Sequence, residues 1–173
     1  MEHNHIIPVE SPIGRLHLQI ASGKLWRINL PNEQVGQCSD NPPPAVTVAA
    51  EQVKSLLADY FSGREPDRQL LIKLVEQLPE KLPDNQTVSS FHRRVWKTLT
   101  AVPRGEVVSY RFLGVMTGFP KAARAVGSAM SHNPLPILVP CHRVVRSDGS
   151  IGDYGGGVEL KRQLHRFEGR EVK

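Results

Sequence analysis

Leu16, Leu18 and Ile20 alternate with His17 and Gln19, a period of two that predicts a half-buried strand. Ser22-Gly23 supplies a turn, and Leu25, Trp26 and Ile28 begin a return strand. Residues 31–45 hold four prolines among Asn, Gly, Ser and Asp and read as a surface loop, with Cys38 inside it and no second thiol nearby. The period then becomes helical. Thr47 is the expected N-cap, Ala49, Val53, Leu56, Leu57, Tyr60 and Phe61 form the apolar stripe, and Gly63 is the stop. A further strand is expected around Leu70–Leu74. From Gln77 to Ser89 the pattern lapses around Pro79, Pro83, Asp84 and Asn85. That stretch divides the chain into an N-terminal β-sheet plus helix domain, 1–88, and a C-terminal domain, 89–173.

In the second part Ser90 caps a helix through Phe91, Val95, Trp96 and Leu99, which Pro103 ends. Arg104-Gly105 makes a turn and Val107-Val108 a short extended piece. Ser109 is a good N-cap for a helix from Tyr110 to Thr117, closed by Gly118, and Pro120 suits the first turn of a second helix running to about Ser131. Two helices joined by a short glycine-containing turn form the helix-turn-helix pattern. A helix that reads base edges needs Arg, Asn, Gln or Glu on its exposed face. Residues 121–130 offer mostly methyl groups, with Arg124 the one long side chain placed to reach inside a duplex. Two readings stay open: nucleic-acid contact directed by structure rather than by sequence, or small residues serving as a helix-packing face.

Charge sharpens the first reading. The 173 residues carry a net +5, but residues 1–90 hold 8 Lys/Arg against 11 Asp/Glu while residues 91–173 hold 14 against 6. A basic half beside an acidic one suits a polyanion surface confined to the C-terminal part, or simply a solvated basic face. No apolar run is long enough to span a membrane, and the N-terminus lacks the basic-then-apolar pattern of a secretory signal. Two cysteines make no disulfide framework, so a reducing, intracellular home is expected.

The segment Asn133–Val145 places Cys141 beside His142 within an apolar stretch stiffened by Pro134, Pro136 and Pro140. Such a cysteine is either aimed at a substrate or inert packing. Further motifs bear on the choice. Lys121 to Gly127, then Asn133-Pro134, then Pro140 to Val145, together resemble the signature of the O6-alkylguanine-DNA alkyltransferases (methylated-DNA–protein-cysteine methyltransferases). Val95-Trp96, Gly105 to Tyr110, Asp153 to Gly157 and the closing Glu168-Gly169 extend the match over roughly residues 91–170. Residues 1–90 match only through Ser11 to Gly14 and overall length.

The resemblance implies an α+β protein: an RNase H-like sheet plus helix, followed by a helical, winged-helix-like domain carrying the helix-turn-helix. It implies DNA repair by single-use transfer of the alkyl group of O6-alkylguanine to Cys141, with O4-alkylthymine left open as a substrate. The double-stranded DNA partner would be gripped in the minor groove by Ala122, Ala123, Arg124, Tyr110 and Ser128. Arg124 would fill the gap left by a flipped base, and Tyr110 would assist rotation and face guanine N3. Asn133, His142 and Glu168 would support Cys141, and Met130, Val144, Tyr154, Gly155, Gly156 and Lys161 would form the substrate pocket. The Gly155 amide would reach O6, and carbonyls of Cys141 and Val144 would accept from the guanine amine. For Lys161 an exposed position on the closing helix is an equal alternative. A monomer, no cofactor and no metal are expected. Cys38 is the only other thiol, and His3 and His5 belong to a terminus expected to be disordered. The compartment would be cytoplasm and nucleoid in a prokaryote, the nucleus in a eukaryote. The second reading is an alkyltransferase-like protein that binds lesions without removing them.

The chemistry fits these residues. Thiolate, not thiol, attacks carbon, so Cys141 needs a base, and His142 oriented by Glu168 is the candidate. Neighbours in an extended segment point to opposite sides, so a bridging water between Cys141 and His142 is expected instead of direct contact. Glu168 follows Leu164 by one helical turn on the apolar face. By periodicity it is either frayed into solvent at Gly169 or buried with a partner; the resemblance favours the partner. Two departures stand out: Gly114 where the family usually has alanine, expected to weaken its helix slightly, and Phe91-His92 for the usual Phe-Gln.

Overall fold

The computed structural model describes residues 4–171. Three antiparallel strands, β1 (Asn4–Val9), β2 (Leu16–Ala21) and β3 (Lys24–Asn29), form a sheet in chain order, with a register shift between Gln19 and Ile20. Leu16, Leu18 and Ile20 are fully buried on the face covered by helix α1 (Pro44–Phe61). Val46, Ala50, Val53, Leu57 and Tyr60 recur at helical spacing along the inner side of α1.

Several expectations change here. From Asn4 onward the chain is in the sheet, with His5 paired to Ile20 in β1; His3 lies outside the described residues. Helix α1 starts three residues before Thr47 because Pro43 and Pro44 hold φ where a first helical turn needs it. The strand expected at Leu70–Leu74 is helix α2 (Arg68–Gln77). The Asp67 carboxylate accepts from the Gln69 and Leu70 amides, and Leu71, Leu74 and Val75 are buried at helical spacing. Four apolar residues within a window of five do not distinguish strand from helix; the cap does. The stretch from Gln77 to Ser89 is pinned down, with Leu78, Leu82 and Val88 buried.

Helix α3 (Ser90–Leu99) is capped by Ser89, one residue earlier than expected, through the His92 amide. Its Trp96 is wholly buried and donates its indole N–H to the Ala129 carbonyl, 2.8 Å. Strand β4 (Val108–Ser109) leads into α4 (Tyr110–Met116), capped as expected by Ser109 at the Phe112 amide. Helix α5 (Ala123–Ser131) begins later than expected, with Pro120 left in the connecting turn. Within α5 only Val126 and Ala129 are fully buried, while Arg124, Ala125 and Ser128 are exposed. The packing-face reading therefore covers one side of the helix and leaves the other free.

Gly114 sits where a Cβ would be crowded. A Cβ there would stand 2.9 Å from the Phe119 carbonyl, because the turn folds back to donate the Phe119 amide to the Gly114 carbonyl, 2.8 Å. Strand β5 (Val144–Val145) pairs in parallel with β4, Val108 opposite Val144. This pairing brings the Cys-His segment beside the start of α4. Helix α6 (Val158–Phe167) closes the fold, and one apolar core runs from the sheet to Leu164.

Candidate active site

Asn133 holds the proline-rich segment together. Its side-chain oxygen accepts from the Leu135 amide, 3.0 Å, and its Nδ2 donates to the Val139 carbonyl, 2.9 Å, and to the Cys141 sulfur, 3.0 Å. Strand β3 grips the same segment through the Ile28 amide and the Pro134 carbonyl. Ile137 is held at φ 75°, unusual for a β-branched residue and a sign that the surroundings dictate this backbone. The chain then makes one 3-10 turn, Cys141–Arg143. The turn replaces the extended geometry expected at Cys141, yet still aims adjacent side chains apart, about 120° per residue.

Cys141 is buried at a cavity of about 600 Å³ whose wall includes Tyr110, Arg124, Met130, Tyr154 and Gly155. Burial raises its thiol pKa, partly offset by the Asn133 hydrogen bond and the nearby Lys161 charge, so the resting group is a thiol. Ala123 and Gly127 belong to the cavity wall, whereas Ala122 and Ser128 do not. Val144, Gly156 and Lys161, expected in the pocket, stand behind it. Gly156 is wedged among Leu30, Tyr154 and Leu160, with no room for a Cβ. Lys161 is fully buried, correcting the exposed alternative, and donates to the Val144 carbonyl, 2.6 Å. Burial lowers its pKa to about 8, against the opposing pull of Cys141 and Asp153.

Behind the cysteine lies a polar core. His142 is fully buried, with its Nε2 2.7 Å from Glu168 Oε1 and its Nδ1 without a hydrogen-bond partner among the described residues. Burial lowers the His142 pKa despite Glu168, which leaves a neutral imidazole near pH 7. Glu168 is partnered, not frayed. It accepts from Tyr60 Oη (2.9 Å), from the Arg143 guanidinium (3.0–3.2 Å) and from the Gly105 amide (3.0 Å). Its burial would raise the carboxyl pKa, but the His142 and Arg143 bonds and charges outweigh that and hold it well below the usual range. Arg143 donates also to the Val102 carbonyl, 2.5 Å.

Tyr60, Arg143 and Gly105 are the members of this site that sequence reasoning did not single out. Tyr60 reads as one more apolar position of α1, and only the fold swings its hydroxyl onto Glu168. Arg143 had a visible signal: a cation inside an apolar run needs a buried anion. His165 packs edge-on to His142, ring centroids 6.1 Å apart, and burial with the charges of His142 and Lys161 lowers its pKa to about 4.

A buried thiol fixed by an amide, with an imidazole and carboxylate behind it, places the chain among proteins built around a cysteine nucleophile. Residues 90–170 match the family model described as "6-O-methylguanine DNA methyltransferase, DNA binding domain". The human methylated-DNA–protein-cysteine methyltransferase is 36% identical over 95% of this chain and 80% of its own length. The Mycobacterium tuberculosis protein of that name is 34% identical over 95% and 92%. The crystal structure of Mycobacterium tuberculosis OGT in complex with DNA superposes with a TM-score of 0.67 at 35% identity, covering 95% of this chain and 93% of that one. The chain belongs to the methylated-DNA–protein-cysteine methyltransferase family.

Proposed function

We propose that this protein repairs DNA by moving the alkyl group of O6-alkylguanine onto Cys141, once per molecule. The observation that carries the reading is the state of His142. One ring nitrogen is fixed on Glu168 at 2.7 Å, and the other is buried with no partner among the described residues, free to take the thiol proton through a bridging water.

A base inside a duplex cannot reach a buried sulfur, so the guanine must leave the stack, and a damaged pair costs least to open. The cavity at Cys141 has the volume for a purine, and its wall carries Arg124, the side chain suited to fill the vacated place from the minor groove. Exposed Ala125 and half-exposed Ala122 and Ala123 allow α5 close approach to a backbone without reading bases. Once the guanine is seated, the Cys141 proton passes to His142, whose imidazolium Glu168 stabilises. Sulfur forms a bond to the alkyl carbon as the carbon–O6 bond breaks, and the electron pair leaves on O6. Tyr110, whose pKa burial raises together with Asp153 and Cys141, stays protonated and donates to guanine N3. The thioether does not hydrolyse, which makes the protein stoichiometric. The Gly155 amide toward O6 and the Cys141 carbonyl toward the amine complete the pocket, while the Val144 carbonyl stands behind it, held by Lys161.

In this reading residues 1–88 form the RNase H-like sheet-and-helix domain and residues 89–173 the winged-helix-like domain that binds DNA as a monomer. No described helix is long and apolar enough to cross a membrane. We place the protein inside the cell, with its substrate.

The test uses duplex DNA carrying labelled O6-methylguanine. Label should move to the protein in equimolar amount, and Cys141→Ala should abolish transfer while keeping DNA binding. Tight binding to the lesion without transfer by the intact protein would instead make it a lesion-binding relative.

A further inference from the structure

Two cavities meet at Cys141. Besides the one at the helix-turn-helix, a cleft of about 110 Å³ reaches the same cysteine from the side of the sheet. The two share Met130, Ser131, Tyr154 and Gly155 around the sulfur. The wall of the smaller cleft that comes from outside the matched region 90–170 holds polar Arg27, Glu33 and Gln86 beside apolar Ile28 and Leu30. Arg27 Nη2 is held by Asp84 and, at 3.4 Å, by Gln86. Its Nε is buried without a partner, and Nη1 makes no hydrogen bond among the described residues. Glu33 is occupied with the Asn29 amide and the Leu30 backbone N–H, at 2.8 and 3.1 Å.

The displacement has a geometric demand that methyl hides. Sulfur, carbon and O6 must lie in line, so the remainder of a longer alkyl group projects sideways from that axis. The second cleft is the open space beside the sulfur. It has room for on the order of four groups of water size, taking about 30 Å³ each. We infer that this cleft is a subsite for the tail of O6-alkyl groups longer than methyl, and that Arg27 makes it favour tails ending in an uncharged carbonyl. The inference rests on alkyl transfer at Cys141. Nε is enclosed, so Nη1 is the donor left for a guest, and an apolar tail displaces water from it and gives nothing back. A carboxylate tail gains little, because Asp84 already offsets the Arg27 charge and Glu33 stands in the same wall.

The experiment compares transfer rates from duplex oligonucleotides carrying O6-(4-oxopentyl)guanine and its near-isosteres 4-methylpentyl and 3-carboxypropyl, with O6-methylguanine as reference. The oxopentyl adduct should react about three- to tenfold faster than the methylpentyl adduct, the range of one net hydrogen bond, and the carboxypropyl adduct slowest. Arg27→Lys keeps a cation for Asp84 but loses the planar fork, and should bring the oxopentyl-to-methylpentyl ratio to about one, with folding checked by thermal melting. Equal rates in the unaltered protein, a faster methylpentyl adduct, or an unchanged ratio in folded Arg27→Lys overturns the subsite. Failure to transfer even methyl overturns the proposed function itself, which the reference adduct reads separately.

Discussion

The sheet with α1 and the space behind Cys141 are both buried, and they are built on opposite principles. In the first, Leu16, Leu18, Ile20, Val53 and Leu57 exclude water with side chains that ask for nothing in return. In the second, His142, Arg143, Lys161, His165 and Glu168 are buried together, and each polar atom needs a specific partner. Apolar burial stabilises the fold, while a buried ionic network commonly does no better than an apolar replacement would. Burial and the network together set the protonation states: partners keep Glu168 ionised, while burial keeps His142 neutral and Cys141 a thiol. Tyr60 joins the two regions. Its ring packs against Phe61 and Phe167, and its hydroxyl serves the carboxylate.

The contrast can be broken by truncating one side chain in each region. Glu168→Ala takes from the buried Arg143 guanidinium its hydrogen-bonded anion, leaving Glu65 at 3.7 Å, and should cost about 3–5 kcal/mol in denaturant unfolding, with alkyl transfer lost. Leu57→Ala should destabilise by about 2–5 kcal/mol through its cavity yet leave the transfer rate of the folded molecules unchanged. If Leu57→Ala slowed transfer as severely as Glu168→Ala, the division of labour would be wrong.

Acid should find the polar region first. His165 has its folded pKa lowered from 6.5 to about 4, mainly by burial, so the unfolded chain binds its proton more readily. Stability is therefore lost as pH falls from 6.5 toward 4. Glu168, whose folded pKa is depressed below 4.5, adds a further loss as pH falls below that value. His165→Leu removes an unpaired buried nitrogen and should flatten the stability profile between pH 4 and 6.5 by about 1–3 kcal/mol. An unaltered slope in melting temperature against pH would exclude His165 as its source.

Smaller changes sharpen the same contrast. Tyr60→Phe keeps the ring and removes one donor to Glu168, an expected loss of about 1–2 kcal/mol. The acid limb of the transfer rate should move upward in pH, because Glu168 then attracts a proton on His142 more strongly. A stability loss with no such movement would make Tyr60 a packing residue alone. Gly114→Ala, ordinarily a gain of up to about 1 kcal/mol in a helix, should here be neutral or destabilising because the Phe119 carbonyl occupies the space; calorimetry gives the sign.

Local chemistry made much of this readable from the chain. Alternation at Leu16–Ile20 and the cap at Ser109 act over a few residues, and the observed elements follow them, whereas the proline frame ends in a 3-10 turn at Cys141 and not in extended backbone. Reading faltered where neighbours in sequence were ambiguous. Leu70–Leu74 carried no period until Asp67 was seen to cap a helix, and Pro120 suited a helix start that the turn at Gly114 delays.

By itself the sequence supplied Cys141, its adjacent imidazole and an acid on an apolar face, and the family resemblance, more than residue type and spacing, assigned them their roles. Only the tertiary structure decided what surrounds them: Tyr60 from α1 on Glu168, Lys161 beneath the Val144 carbonyl, and Arg27 across a cleft from Cys141. The reason is physical. A hydrogen bond between residues 108 positions apart leaves no periodic trace in the chain, since it depends on how whole elements pack and not on the residues between them.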